Sequence, residues 1–337
     1  MRPCSTDLLL LKEVCGFLGY SRQEAADRGK HGLRYMGFMG RDTTQRHRKL
    51  RLNVAAALEE VKCKTRRPKT TDMAQDLLLP EFIYPRLKSN RLGKTIHHFL
   101  ETGSTNDAAR HLAEQGAPEG TIVLAEKQTQ GRGRLGRSWL SERGAGIYAS
   151  ILLRPPLKPR DVAVLTLVAA VAGSEALEQV CGLRADIKWP NDLLLSGRKC
   201  CGILSEMQAD RDDIRYVIVG IGINVNHSGF SGELSRRATS LRIEGKRTYS
   251  RVALLCEFLL RFELLYDDLQ RGSLARVLQR WVDRSSFAFG KLVTVDLGSG
   301  KSVDGQTVGL SSLGNLRVKL ADGRVEEVMS GDIVAWR

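Results

Sequence analysis

Thr121-Ile-Val-Leu-Ala-Glu126, then Gln128-Thr129-Gln130-Gly131-Arg132-Gly133-Arg134-Leu135-Gly136-Arg137-Ser138-Trp139, then Ile147-Tyr-Ala-Ser-Ile-Leu-Leu153 is the stretch that decides the fold. Its centre holds three glycines and three arginines within seven residues. The spacing Gly131-x-Gly133-x-x-Gly136 matches a dinucleotide fingerprint, which has meaning only where a strand runs into a helix. Here a β-like apolar run precedes the loop and a second one follows it. The second lacks apolar residues at i, i+3 and i+4. No acidic residue ends a following strand to hold a ribose. A Rossmann unit is therefore excluded. What remains is a loop between two strands, with glycines that allow close backbone approach and guanidinium forks suited to carboxylate or phosphate.

Around this loop the chain reads as α+β. Lys94 to Leu100 is a predicted strand. Ser104 is a predicted N-cap, with Asp107 in the first turn of a helix running from Ala108 to Gln115 and stopping at Gly116. Ser104, Thr105 and Asn106 also make a polar group at a positive helix end. Asp161 is expected to cap a long buried helix from Val162 to Gln179, ended by Gly182. A strand ends at Lys188-Trp189-Pro190-Asn191-Asp192. A hairpin follows, Leu193 to Leu195 with Cys200 to Glu206. Tyr216 to Val225 is a buried strand carrying Gly220 and Gly222, and glycine inside a strand often marks close approach of a ligand. Helices over 250–270 and 273–284 complete this part. From Phe287 onward come short alternating runs at 291–296, 303–310, 315–320 and 325–334, with Gly turns, as in a small β-barrel.

Composition sets the outer bounds. The 337 residues allow two or three domains. The proposed division is 1–72, 73–285 and 286–337. No apolar run reaches the ~20 residues of a membrane span, so no membrane role is expected. Seven cysteines without paired spacing fit free thiols and a reducing cytoplasm. No metal-ligand spacing is present, so no metal-binding residue is assigned. The net charge of +14 is uneven: residues 1–72 hold 16 Lys and Arg against 8 Asp and Glu. That head reads as a poorly ordered basic extension, with Met73 as a natural start of the organised chain. Asp7 to Leu18 and Asn53 to Lys62 read as short helices, but two apolar helices around a tight turn followed by a basic recognition helix are not evident, so DNA binding is not expected.

Four stretches stand in order: Ser104-Thr105-Asn106, Gln128 to Trp139, Lys188 to Asp192, and Gly220-Ile-Gly222-Ile-Asn224. This set resembles the biotin–protein ligases over roughly residues 95–337. Gly202-Ile203-Leu204 with Glu206, and Ala238-Thr-Ser-Leu241, agree with that family. The resemblance implies a class II synthetase-like catalytic domain with a mixed or antiparallel sheet flanked by helices, and a C-terminal SH3-like barrel. It implies ATP and biotin as substrates with Mg²⁺ expected, a biotinyl-5′-adenylate intermediate, and a lysine of a biotin carboxyl carrier protein as acceptor.

By the same resemblance, Ser104, Thr105, Asn106, Gln128, Gly131, Arg132, Gly133, Arg134 and Lys188 bind biotin. Arg134, Arg137, Trp139, Lys188, Asn191, Gly222 and Asn224 face the nucleotide. Lys188, Arg132 and Arg134 carry the catalysis, since two anions must meet and positive charge eases that encounter. Trp139 has two readings, cover for the adenylate or core packing. Asp192 has three: partner of Lys188, Mg²⁺ ligand, or turn cap. The rivals are a lipoate–protein ligase and a ligase that also represses a biotin operon through its basic head. The oligomeric state, a homodimer included, is left open.

Overall fold

The computed structural model describes residues 76–211 and 213–337. The expectation of a poorly ordered basic extension over residues 1–72 lies outside them. β1 (Ile96–Phe99) leads into helix α1 (Thr105–Glu114), and the chain returns as β2 (Ile122–Ala125), parallel to β1. β3 (Gly146–Leu153) lies antiparallel to β2. After helix α2 (Val164–Cys181) come β4 (Asp186–Lys188), β5 (Asp192–Leu195), β6 (Arg198–Asp210) and β7 (Asp213–Asn224). The seven strands lie in the order β1-β2-β3-β7-β6-β5-β4. Helices α3 (Arg251–Gln270) and α4 (Leu274–Val282) follow. β8 (Phe289–Gly298), β9 (Lys301–Leu310), β10 (Leu316–Lys319), β11 (Val325–Val328) and β12 (Asp332–Trp336) then form a five-stranded antiparallel sheet. The architecture is the expected mixed sheet flanked by helices, with terminal strands of the SH3-like kind.

Period-two alternation distributes the core. Val123 and Leu152 face α1, together with Ala109, Ala113, Tyr216 and Ile218. Their neighbours Ile122, Leu124, Ile151 and Leu153 point the other way, into the larger cluster with α2 and α3. The central strands are thus covered on both faces, which explains their unbroken apolar runs. Helix α2 is apolar nearly all round because it is enclosed nearly all round. With its lead-in it is long and apolar enough to cross a membrane, yet 78% of that window is buried within the protein. The second sheet shares this core: Val293, Val295, Leu316, Val318 and Ile333 belong to the same cluster as α2. The Trp189 indole N–H donates to the Gly314 carbonyl at 3.3 Å across the seam.

Two local expectations are corrected. Asp161 does not cap α2. It ends a separate 3₁₀ turn, Pro159–Asp161, and Ala163 is the N-cap residue without a side-chain bond. The Leu165 and Thr166 N–H groups bond the Val162 and Ala163 carbonyls instead, so backbone has replaced the side-chain acceptor. The run 325–334 is two strands, because Met329 to Gly331 turns the chain between β11 and β12.

One buried charge cluster fixes the base of the Arg/Gly loop. Glu126, 1% exposed at the end of β2, accepts from Arg251 at 2.7 Å, from the Leu78 N–H at 2.9 Å and lies 3.4 Å from His98. Arg251, the first residue of α3, also holds Asp76 and the Gly146 carbonyl. Burial would raise the Glu126 pKa, but His98, Arg251 and the Leu78 N–H outweigh it and hold it at about 2, below its usual 4.5. A depressed carboxylate stabilises fully above about pH 4.5 and loses that contribution as pH falls toward 2, here on the order of 3 kcal/mol. Denaturant titrations of wild type and Glu126→Gln at pH 5.5 and pH 2.5 should therefore show a smaller acid loss in the variant. Equal losses would remove Glu126 from the acid response.

Candidate active site

The site begins where side chains are missing. β6 and β7 pair Gly202 with Gly222, and Gly220 stands opposite Ser150 of β3. These positions expose bare backbone on one face of the sheet. Trp139 of the Arg/Gly loop lies on it: a Cβ at Gly222 would come within 2.5 Å of the indole, and one at Gly202 within 2.9 Å. A Cβ at Gly220 would collide with the Asn106 amide.

The N-terminus of α1 forms one wall. Ser104 has the extended backbone of an N-cap, but its side chain makes no capping bond. The Thr105 N–H instead donates to the Gln128 side-chain oxygen at 2.8 Å, and the Thr105 hydroxyl does so at 3.0 Å. Gln128 thus satisfies the helix end and ties the loop to it. Ser150 donates to Thr105 and Asn106, and Asn106 donates to Glu206 at 2.6 Å. Ser104, Thr105 and Asn106 are buried and line the cavity with Gln128.

The loop is a flap with its own hairpin bonds. Trp139 N–H donates to the Gly131 carbonyl at 2.8 Å and Gly133 N–H to the Arg137 carbonyl at 2.6 Å. Gly131 is required at the base because a Cβ would lie 2.5 Å from the Trp139 carbonyl. The flap arginines are all paired with carboxylates. Arg132 forms two bonds to Asp107, at 2.6 and 2.8 Å, and reaches Glu206 at 3.2 Å. Arg134 bonds Asp332 at 2.8 Å, and Arg137 pairs with the other oxygen of that carboxylate. Arg132, Gly133 and Arg134 line the cavity, whereas Arg137 and Gly131 do not.

Lys188 borders the site through Asp192 and does not itself line the cavity. It ends β4, the outermost strand, two strands from Gly202 of the glycine floor. Its ammonium donates to the Ile333 carbonyl at 3.2 Å and lies 5.0 Å from the Trp336 ring centroid. It does not line the cavity; Lys199 does. The Lys199 ammonium lies 5.5 Å from the Trp139 ring centroid and 2.5 Å from Asp192. Asp192 lies between the two lysines, with Lys188 at 3.2 Å. Burial alone would raise its pKa, but Lys199 and Lys188 hold it below the usual carboxylate range.

Asn191 lines the cavity and donates to the Ile203 carbonyl. Gly222 forms the floor. Asn224 is displaced from the cavity wall and ties β7 to the Thr239 carbonyl at 3.1 Å. Trp139 lies against the floor, and its buried indole N–H has no partner. That orphan donor stands in a site lined by polar groups, where a ligand acceptor can meet it. Lys199, Glu206 and Ser150 are additions that the sequence motifs did not single out for the site. Starting the second hairpin strand at Cys200 leaves Lys199 in the turn, whereas it lies in β6, next to a register shift at Leu193–Leu194. A bulge breaks the two-residue alternation and re-aims the side chain to the face of Gly202.

Comparison with known proteins gives the family. Residues 100–224 match the model of the biotin/lipoate A/B protein ligase family, and residues 288–336 match the biotin protein ligase C-terminal domain. The bifunctional ligase/repressor BirA of Bacillus subtilis is 38% identical over 250 residues, covering 73% of this chain and 76% of that protein. The biotin–[acetyl-CoA-carboxylase] ligase of Mycobacterium tuberculosis is 31% identical, covering 70% and 87%. The biotin protein ligase of Aquifex aeolicus, solved with biotin and ATP, superposes with a TM-score of 0.62 at 32% identity, covering 72% of this chain and 99% of that one. The glycine floor, the polar helix end and the Arg/Gly flap therefore stand in a chain that belongs to the biotin–protein ligase family, enzymes that attach biotin to protein using ATP.

Proposed function

We propose that the cavity between the α1 N-terminus and the glycine floor is where this chain joins biotin to ATP. The observation that carries the reading is the convergence of Ser104, Thr105, Asn106 and Gln128 with Lys199 and Trp139 around one cavity. Small neutral donors and acceptors at the helix end suit the polar ring of biotin. The bare strands at Gly202 and Gly222, under an aromatic ring, suit a flat base. Between them the biotin carboxylate attacks the α-phosphorus of ATP. One P–O bond forms, the bond to pyrophosphate breaks, and biotinyl-5′-adenylate results. A lysine amine of a carboxyl carrier domain then attacks the acyl carbon and AMP leaves.

The obstacle in the first step is the meeting of two anions. Lys199 is the cation placed to screen them, and its contact with Asp192 orients it. Arg132 and Arg134, expected as neutralising charges, serve in this reading to hold the flap, since both already face carboxylates. The closed flap excludes water from a hydrolysable anhydride. Mg²⁺ would arrive on the triphosphate oxygens. No group of three His, Cys, Asp or Glu gathers as a metal site among the described residues.

Biotin-dependent ATP–pyrophosphate exchange tests the assignment. Lys199→Ala should lower exchange by roughly 10²- to 10³-fold with folding intact, and Lys188→Ala should lower it much less. The reverse ranking would return the role to Lys188. Gly222→Ala should push the Trp139 indole off the floor and raise the KM for ATP by about tenfold or more while sparing the KM for biotin, overpacking of this kind costing ~1–3 kcal/mol. Equal effects on both constants would show that Gly222 does not belong to the nucleotide half.

A further inference from the structure

The flap is fastened at two places, and one of them is outside the catalytic sheet. Its entry is tied by Arg132 to Asp107 of α1 and Glu206 of β6. Its tip is tied to the first residue of β12. There the Asp332 carboxylate takes Arg134 on one oxygen and Arg137 on the other. Arg134 also donates to the Gly331 carbonyl at 3.0 Å. The two arginines flank a single 3₁₀ turn, Arg134–Gly136, in which Leu135 has a left-handed backbone at φ 53°. The next barrel residue, Ile333, accepts from Lys188, which contacts Asp192, which contacts Lys199. Gly331, Asp332 and Ile333 therefore connect to both the flap and the support of the cavity lysine.

We propose that Asp332 is a positioning residue: it latches the tip of the flap to the barrel and thereby keeps the adenylate enclosed. The Asp332 side chain is 9% exposed, and Arg134 is 22% exposed. A carboxylate this enclosed holds its partners by charge-assisted bonds that water does not readily replace. Arg137 is 57% exposed, so its half of the fork is weaker and Arg134 carries most of the latch. Replacing Asp332 by Asn removes its charge and one of its two acceptor oxygens, so the fork that holds both arginines is lost, and one neutral bond and the Gly331 carbonyl remain as ties. The flap then opens more often, while the floor, the helix end and Lys199 keep their own contacts. The latch concerns the flap alone; its effect on the adenylate rests on the site reading given above.

The test compares full-length wild type, Asp332→Asn and Asp332→Glu. Hydrogen–deuterium exchange reads the latch without any reaction. Amides of residues 131–139 should exchange about tenfold faster in Asp332→Asn, the size of one lost charge-assisted bond, while β8 and β9 stay protected. Asp332→Glu should restore protection. With biotin and ATP but no acceptor, Asp332→Asn should release biotinyl-5′-adenylate about tenfold faster, with a smaller change in its rate of formation. Unchanged flap exchange, faster exchange spread evenly over the barrel, or a loosened flap that retains adenylate as wild type does would each overturn the proposal. Wild type that makes no adenylate would instead refute the site reading, and the exchange result would still decide whether the latch exists.

Discussion

An indole lying on bare backbone is the contact the site depends on. Gly202 and Gly222 face each other across β6 and β7, and a side chain at either position would lift Trp139 off the sheet. The flap has to start and end where that ring can reach the floor, which explains the tight crossing of Gly131 beneath the Trp139 carbonyl. Asn106 is likewise seated over Gly220. The absence of three side chains organises helix end, flap and strands around one cavity.

Charge follows the same plan. Each of three cations at the cavity is matched with a carboxylate from a different element: Arg132 with Asp107 and Glu206, Arg134 with Asp332, Lys199 with Asp192. The arrangement is close to neutral before any ligand arrives. Asp192 is enclosed and shared by two lysines. Removing an acid from such a set leaves a cation without its partner in a poorly solvated place, which costs more than the lost attraction alone.

Much of this was legible in the sequence, for identifiable reasons. The strands announced themselves because those around the loop are buried on both faces and bounded by Gly, Pro and polar turns. Ser104 to Asn106 were visible because small polar residues just ahead of a helical stretch mark a helix N-terminus. Lys199 was not visible because Ser196 to Lys199 read as a polar turn, and a bulge in β6 then aims its side chain to the face of Gly202. The contacts of Lys188 with Ile333 and Trp336 were not legible, because these residues lie about 145 positions further along the chain, a distance over which no local pattern reports. The arginines drew attention for their charge, but their carboxylate partners are scattered over α1, β6 and β12. Asp161 failed as a cap because a neighbouring turn had already met the need with backbone.

The shared core between the two sheets has a further meaning. Leu316, Val318 and Ile333 lie in one apolar cluster with helix α2, and Trp189 reaches the Gly314 carbonyl across the seam. The terminal strands look modular in their connectivity but are not modular in their cooperativity. Their removal would strip cover from α2 and Trp189, so the part left behind would be an exposed interior and not a smaller enzyme. The barrel and the catalytic sheet are therefore one packing unit, with the inner face of the barrel fitted to a helix more than a hundred residues away in the chain.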